Sequence, residues 1–396
     1  MLTSNDQRGY RLQCIDLVRG LVIIIMALDH VRDFFMVAGP APTSEDASPA
    51  LFATRWITHF CAPVFVLLAG SSAGLMVARK SKRELTCFLF TRGVWLILVE
   101  SFIVSTASTF SPGGLAQLNG DVIVVMQVIW AIGTSMVILA GAHLMGRRVC
   151  FAVGIVVLLC HNLVDPYWPE SKLLDESWPL WVSFHSPMSY RVGPFLILFS
   201  YPLLPWTGVM LFGFGLAGLF ELPPNRRNAL LFEAGIILTA IFVAIRWFDI
   251  YGDPNHWRHH EEGIVATVID FLNTTKYPPS LSFLLMTLGP AAIVCSCTDR
   301  ITGWIKEALV VFGRAPFAFY VTHLFLIHSL SIVLGVVQGF HAGQFFTIYA
   351  FFPEGYGVPL PGVYAVWVLV VALLYPLCRR IAAIKASRKD WWLSYL

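Results

Sequence analysis

The run Asp16 to Asp33, DLVRGLVIIIMALDHVRD, is mostly apolar and of helix length, yet it holds an arginine near its start and an Asp-His pair deep inside. At about 100° per residue, Arg19 and His30 fall within roughly 20° of one helix face, about 16 Å apart along the axis. Ile23 and Met26 fill that face between them, and Asp16 and Asp33 lie near its ends. Ionisable groups inside an apolar span are costly unless they face a protein interior or a cavity. One helix thus offers an anion-binding guanidinium at one level and a titratable base at another. A packing role is the alternative. It suits Arg19, which can snorkel from a helix end, better than a mid-span Asp29-His30 pair, which cannot do so easily.

Other apolar runs carry ionisable groups at matching depths. The run WITHFCAP holds Trp56 and His59, and Pro63 removes the amide that would bond to the His59 carbonyl, a usual cause of a kink that lines a cavity. Arg92 and Glu100 share a third run, and FGRAPFAFYVTHLFLIH carries Arg314, His323 and His328. These residues sort into two layers. Arg19, Arg92 and Arg314 form a cationic layer suited to a phosphate-bearing ligand. Asp29, His30, Asp33, His59 and His323, with Glu100 nearby, form a titratable layer suited to proton transfer near neutral pH. A lone buried histidine is more often a satisfied packing group, which is the expectation for His328.

The elements that must position these residues are membrane spans. Of the 396 residues, 57% are hydrophobic and 13% charged, with a mean hydropathy of +0.70, against about 45–50% apolar and about 25% charged in soluble proteins. Run length gives about ten spans, near 14–38, 51–77, 86–108, 121–145, 149–165, 195–221, 229–248, 279–298, 308–335 and 362–384. The expected fold is an all-α, polytopic integral membrane helical bundle forming a single domain over 1–396. Basic residues occupy both tails and alternate gaps, at Arg79–Arg83, Arg147–Arg148, Arg226–Arg227 and Arg300–Lys306. The positive-inside rule then places both termini in the cytoplasm. No cleavable signal peptide is expected.

Two long extracytoplasmic loops, near 166–193 and 249–276, are rich in Trp, Pro and charge and could form a lid or an acceptor platform. The run HWRHHEE at 256–262 reads better as a solvated loop than as a metal site, and no metal is expected. The eight cysteines lie within or beside apolar runs and read as packing residues. Nothing points to nucleic acid, and membrane lipid is the expected surroundings.

The first span, RLQCIDLVRGLVIIIMALDH, resembles that of transmembrane acyltransferases, with an Arg, ten residues and a His as in the acyltransferase-3 group. THFCAPVFVLLAG, KYPPSLSFLLMTLGP, GRAPFAFYVTHLFLIH and the terminal DWWLSYL resemble more specifically the bacterial relatives of heparan-alpha-glucosaminide N-acetyltransferase. The resemblance implies an acyl-CoA donor, acetyl-CoA foremost, and a glycan or other small-molecule acceptor on the far side of a bacterial inner membrane. A homodimer is compatible with it. It also implies CoA phosphates among Arg19, Arg92 and Arg314, and His30 as general base, with Asp29 or Asp33 holding its charge and orientation. His59 would assist at the oxyanion or be the base itself, and His323, Glu100 and Trp56 would line the acceptor cavity. In the lysosomal animal enzyme the position matching His30 is Asn and its histidine follows eleven residues later, where this chain has Ala41. Direct transfer and an acetyl-histidine intermediate both remain open. So does a reading from another class, a proton-coupled transporter of a small solute, because buried Asp, Glu and His also mark proton paths.

Overall fold

The computed structural model describes residues 4–39, 41–44, 46–170, 173, 178–388 and 390–395, with side chains at the N-terminus described from residue 13. The side chains of Arg8 and Arg11, and Lys389, which contribute to the basic tails, lie outside the described residues. Helix α1 (Ser4–Phe35) runs through the middle of the bundle, and its Val18, Ile23, Ala27 and Val31 are buried. Around it pack α3 (Cys61–Met76), which follows α2 (Pro49–Thr58), and, late in the chain, α12 (Gly303–Arg314), α13 (Pro316–Val337) and α14 (Leu360–Ser387). The break between α2 and α3 falls at His59–Phe60, just before Pro63, where the kink is expected.

A second group consists of α4 (Lys82–Leu98), α5 (Ser105–Thr109), α6 (Val128–Ala142), α7 (Arg147–Cys160) and α8 (Leu203–Leu216). Helices α4 and α5 are joined by a π-helical stretch, Val99–Val104. Helix α9 (Pro224–Phe248) packs on α11 (Leu281–Cys297), and the short α10 (Ile264–Leu272) lies in the loop between them. Where helices meet closely, they do so through glycine. A Cβ on Gly20 would overlap the Leu309 carbonyl and one on Gly313 the Asp16 carbonyl, so α1 and α12 touch backbone to backbone.

Among the described residues, nine helices are long and apolar enough to cross a membrane. Helix α1, at 32 residues, is also long enough, but carries Asp16, Arg19, Asp29, Arg32 and Asp33 in its length. Buried between other helices, it does not show those charges to lipid. Leu159, Ile237, Val156 and Val368 are among the outward apolar side chains of the other spans, as expected of an integral membrane protein.

Two expectations are corrected. The runs 121–145 and 195–221 are not helical throughout. Val122–Met126 (β1) and Phe195–Phe199 (β3) pair in parallel, and Met188–Val192 (β2) pairs antiparallel with β3. VIVVM and FLILF are β-branched and aromatic-rich, and apolar runs this short do not reveal their own period. The run 308–335 is likewise not one span. Arg314 and Ala315 separate α12 from α13 ahead of Pro316, because a residue before proline is disfavoured in the α region. The eight cysteines are free thiols, and Cys14 Sγ meets Cys295 Sγ at 3.4 Å between α1 and α11.

Candidate active site

The polar residues of α1 leave the helix in different directions. His30 lines a small cavity with Asp29, Thr58, Cys61, Gln127, Tyr201 and Lys276. Each wall comes from a junction between elements. Thr58 and Cys61 flank the α2–α3 break, Gln127 lies between β1 and α6, Tyr201 between β3 and α8, and Lys276 just before α11. The small sheet therefore brings two cavity residues into place.

The His30 ring lies 4.9 Å from that of His323 and 6.5 Å from that of Tyr320, centroid to centroid. His323 is fully buried, and its Nδ1 faces the carbonyls of Phe319 (3.1 Å) and Tyr320 (2.5 Å). Two acceptors at Nδ1 place the hydrogen there and leave a lone pair on Nε2. That Nε2 is buried and has no partner among the described residues.

Asp29 also borders the cavity, but its carboxylate is taken up by α2. Its carboxylate accepts from Arg55 Nη1 (2.5 and 2.7 Å) and Thr58 Oγ1 (2.9 Å), and Arg32 Nη1 pairs with it at 2.8 Å. Arg32 Nη2 donates to Asp33 at 2.6 Å. Neither carboxylate bonds to the His30 ring, which one or other of them is expected to orient. Adjacent helical residues diverge by about 100°, and the intervening arginines take the carboxylates.

His59 is 2% exposed at the α2–α3 break, packs 5.4 Å from the Phe283 ring, and has an unpartnered Nδ1. It stands behind the cavity wall rather than in it. Trp56 donates Nε1–H to Met286 Sδ at 3.2 Å. Glu100 sits in the π-helical stretch and accepts the Gln127 amide at 3.2 Å and those of Ile129 and Trp130, so it caps the start of α6. It holds the base of Gln127 and does not itself line the cavity.

Near the other end of α1, Arg19 Nη2 donates to Ser72 Oγ at 3.0 Å, and its Nη1 lies 3.7 Å from Asp16. Arg314 reaches Asp16 at 3.4 Å and is half exposed. Arg92 and Lys385 stand close enough to Arg19 for their charges to act on one another. The structure thus gathers Arg19, Arg314 and Lys385 around the Asp16 carboxylate, with Arg92 beside Arg19 and Lys385. Arg19, Arg92 and Arg314 come from the expected layer, and Lys385 of α14 is an addition.

Two of the three histidines of HWRHHEE are occupied locally, His256 with Asp249 at 2.9 Å and His260 with Asp270 at 3.0 Å. Among the described residues, no three His, Cys, Asp or Glu side chains gather as a metal cage. His328 packs flat on Phe110, and its two ring nitrogens face the carbonyls of Ala107 (2.9 Å) and Phe345 (2.7 Å), to one of which a neutral imidazole donates.

Sequence reasoning missed Lys276, Tyr201, Gln127, Thr58 and Arg55. Thr58 and Lys276 lie within runs singled out for resemblance, so the motifs contained a signal for them. Tyr201 and Gln127 follow strands that were read as helix, and nothing nearby marked them. The phenols of Tyr201 and Tyr277 share a hydrogen bond. Burial raises the Tyr277 hydroxyl, but Lys276 and Arg55 beside it more than offset this and leave it below the usual tyrosine value. Burial and Tyr277 push Tyr201 well above that value.

The model of a protein family described as heparan-alpha-glucosaminide N-acetyltransferase, catalytic, matches residues 11–247. That stretch is more than half of the chain and contains Arg19, His30, His59 and Arg92, whereas Lys276, Arg314 and His323 lie beyond it. No curated protein matches the chain.

Proposed function

The chain belongs to the heparan-alpha-glucosaminide N-acetyltransferase catalytic family, and on that premise we propose that it moves an acetyl group from acetyl-CoA to a hydroxyl or amine of a sugar-bearing acceptor. The observation that carries this reading is the arrangement on α1. A cluster of cations surrounds Arg19 toward one end of the helix, and a histidine-lined cavity opens at His30 nearer the other. A donor with phosphates at one extremity and a thioester at the other suits that separation. Arg19, Arg92, Lys385 and Arg314 would hold the phosphates, and the pantetheine arm would follow α1 toward the cavity. His30 would take the acceptor's proton as general base, with His323 packed beside it. His59, one layer back, is the alternative base if the α2–α3 break moves when substrates bind.

The basic tails and gaps favour cytoplasmic termini, so the donor would enter from the cytosol and the acceptor from the far side, in a bacterial cytoplasmic membrane. A proton-coupled carrier would use buried acids as relays. Here Asp29 and Asp33 are tied to arginines and Glu100 caps a helix, which favours the enzyme reading.

The test uses the purified full chain in detergent. Acetyl-CoA or CoA should raise its melting temperature, by an amount set by about 2.7 kcal/mol at a hundredfold excess over Kd. Arg19→Ala should raise the donor KM about ten- to a hundredfold, the worth of one charge-assisted hydrogen bond, with little change in kcat at saturation. An unchanged melting temperature with CoA would point instead to a carrier for an unrelated solute.

A further inference from the structure

The charges around the cavity are not all paired. The carboxylates that act on His30 are Asp29 and Asp33, and the cations are Arg32 and Lys276, with Arg55 joining through Asp29. Arg32 pairs with both carboxylates and Arg55 with Asp29. Lys276 is only 9% exposed and lines the cavity; its ammonium hydrogen-bonds to the Tyr277 hydroxyl, and among the described residues it pairs with no carboxylate. Its ammonium stands 5.1 Å from the centre of the Tyr277 ring. Arg32 and Arg55 are thus taken by Asp29 and Asp33, and the Asp253 carboxylate is taken up by Thr275 and Ser280, which leaves the Lys276 ammonium on the cavity wall as the cation without a carboxylate contact.

An ammonium held away from water without a counter-ion costs free energy. That cost is offset if negative charge appears beside it during the reaction. Acyl transfer generates such a charge on the thioester carbonyl oxygen, and a cation already in place needs no reorganisation to meet it. Lys276 is held in place from behind. Asp253 accepts from Thr275 N (3.1 Å), Thr275 Oγ1 (2.8 Å) and Ser280 Oγ (2.6 Å), bracketing the lysine on both sides. Arg246, itself buried, donates to the carbonyls of Asp270, Phe271 and Asn273 just upstream.

We propose that Lys276 stabilises the oxyanion of the acyl transfer, an inference that rests on the acyltransferase reading of the same cavity. The acceptor's nitrogen or oxygen bonds to the thioester carbonyl carbon, and the carbonyl π pair moves onto oxygen, facing the Lys276 ammonium. The acceptor's proton passes to the His30 ring. The adduct then collapses, the C–S bond breaks with its electron pair on sulfur, and the CoA sulfur takes the proton back from His30. Nothing is oxidised or reduced.

The experiment measures thiol release from acetyl-CoA by the full chain in detergent, with glucosamine or water as acceptor. Lys276→Met should lower kcat about 10²–10³-fold with both acceptors, the loss typical of one oxyanion donor. The donor KM and the CoA-induced rise in melting temperature should stay near wild type. Lys276→Arg should recover at least about tenfold over Lys276→Met, since it restores the charge. A Lys276→Met kcat within about threefold of wild type would overturn the proposal. A loss confined to the glucosamine KM would also do so, by making Lys276 an acceptor-recognition group. If both variants lose the CoA response and Arg gives no rescue, the lysine is structural. If wild type shows neither CoA stabilisation nor thiol release, the acyltransferase reading fails. An active wild type with an equally active Lys276→Met removes the lysine alone.

Discussion

His30 is the α1 residue with both a titratable ring and a place on the cavity wall. A general base contributes about 10²–10⁴-fold, so His30→Ala should lower turnover by that order while the melting-temperature response to CoA survives. His59→Ala should cost less, because its ring lies behind the wall against Phe283. Steady-state kinetics on the two variants, each checked for CoA binding, decide between them. Near wild-type turnover by His30→Ala would hand the role to His59. The expectation that Asp29 orients His30 was reasonable from sequence, since the two are neighbours. Arg55, on another helix, has a stronger claim on the Asp29 carboxylate than an imidazole does.

At the scale of elements, the close approach of α1 to α12 is the contact most sensitive to a single atom. Gly20 and Gly313 each bring a partner's carbonyl where a Cβ would stand. Gly313→Ala should push α12 away from Asp16 and disturb the Asp16–Arg314 pair and the Arg19 environment. Overpacking of this kind typically costs about 1–3 kcal/mol. The expected result is a lower melting temperature together with weaker CoA binding. Gly141→Ala, on a helix face with open space around it, should show neither effect. Equal behaviour of the two variants would mean that α1 and α12 are not held in this contact.

For the whole molecule, the two ends of α1 must face different compartments if donor and acceptor meet in the bundle. Reporter fusions after Lys82 and Arg227 should report the cytoplasm, and fusions after Leu118 and Asn255 the outside. Any one of them reversed would break the correspondence of depth between Arg19, Arg92 and the cavity, and with it the two-sided reaction.

Membrane character, and the candidacy of Arg19, His30 and His59, are legible in the chain itself. They depend on properties local to a segment: run length, an ionisable group misplaced in an apolar run, a proline four residues after a histidine. The pairing of charges was only partly local. Arg32 lies three residues from Asp29 on the same helix, but that Arg55 also takes this carboxylate, that Glu100 caps α6, and where Lys276 and Tyr201 come to rest depend on side chains distant in sequence and in contact only after the helices pack. Short apolar strands read as helix for the same reason, because a five-residue run has too few side chains to display a period, and only its pairing partner selects the strand.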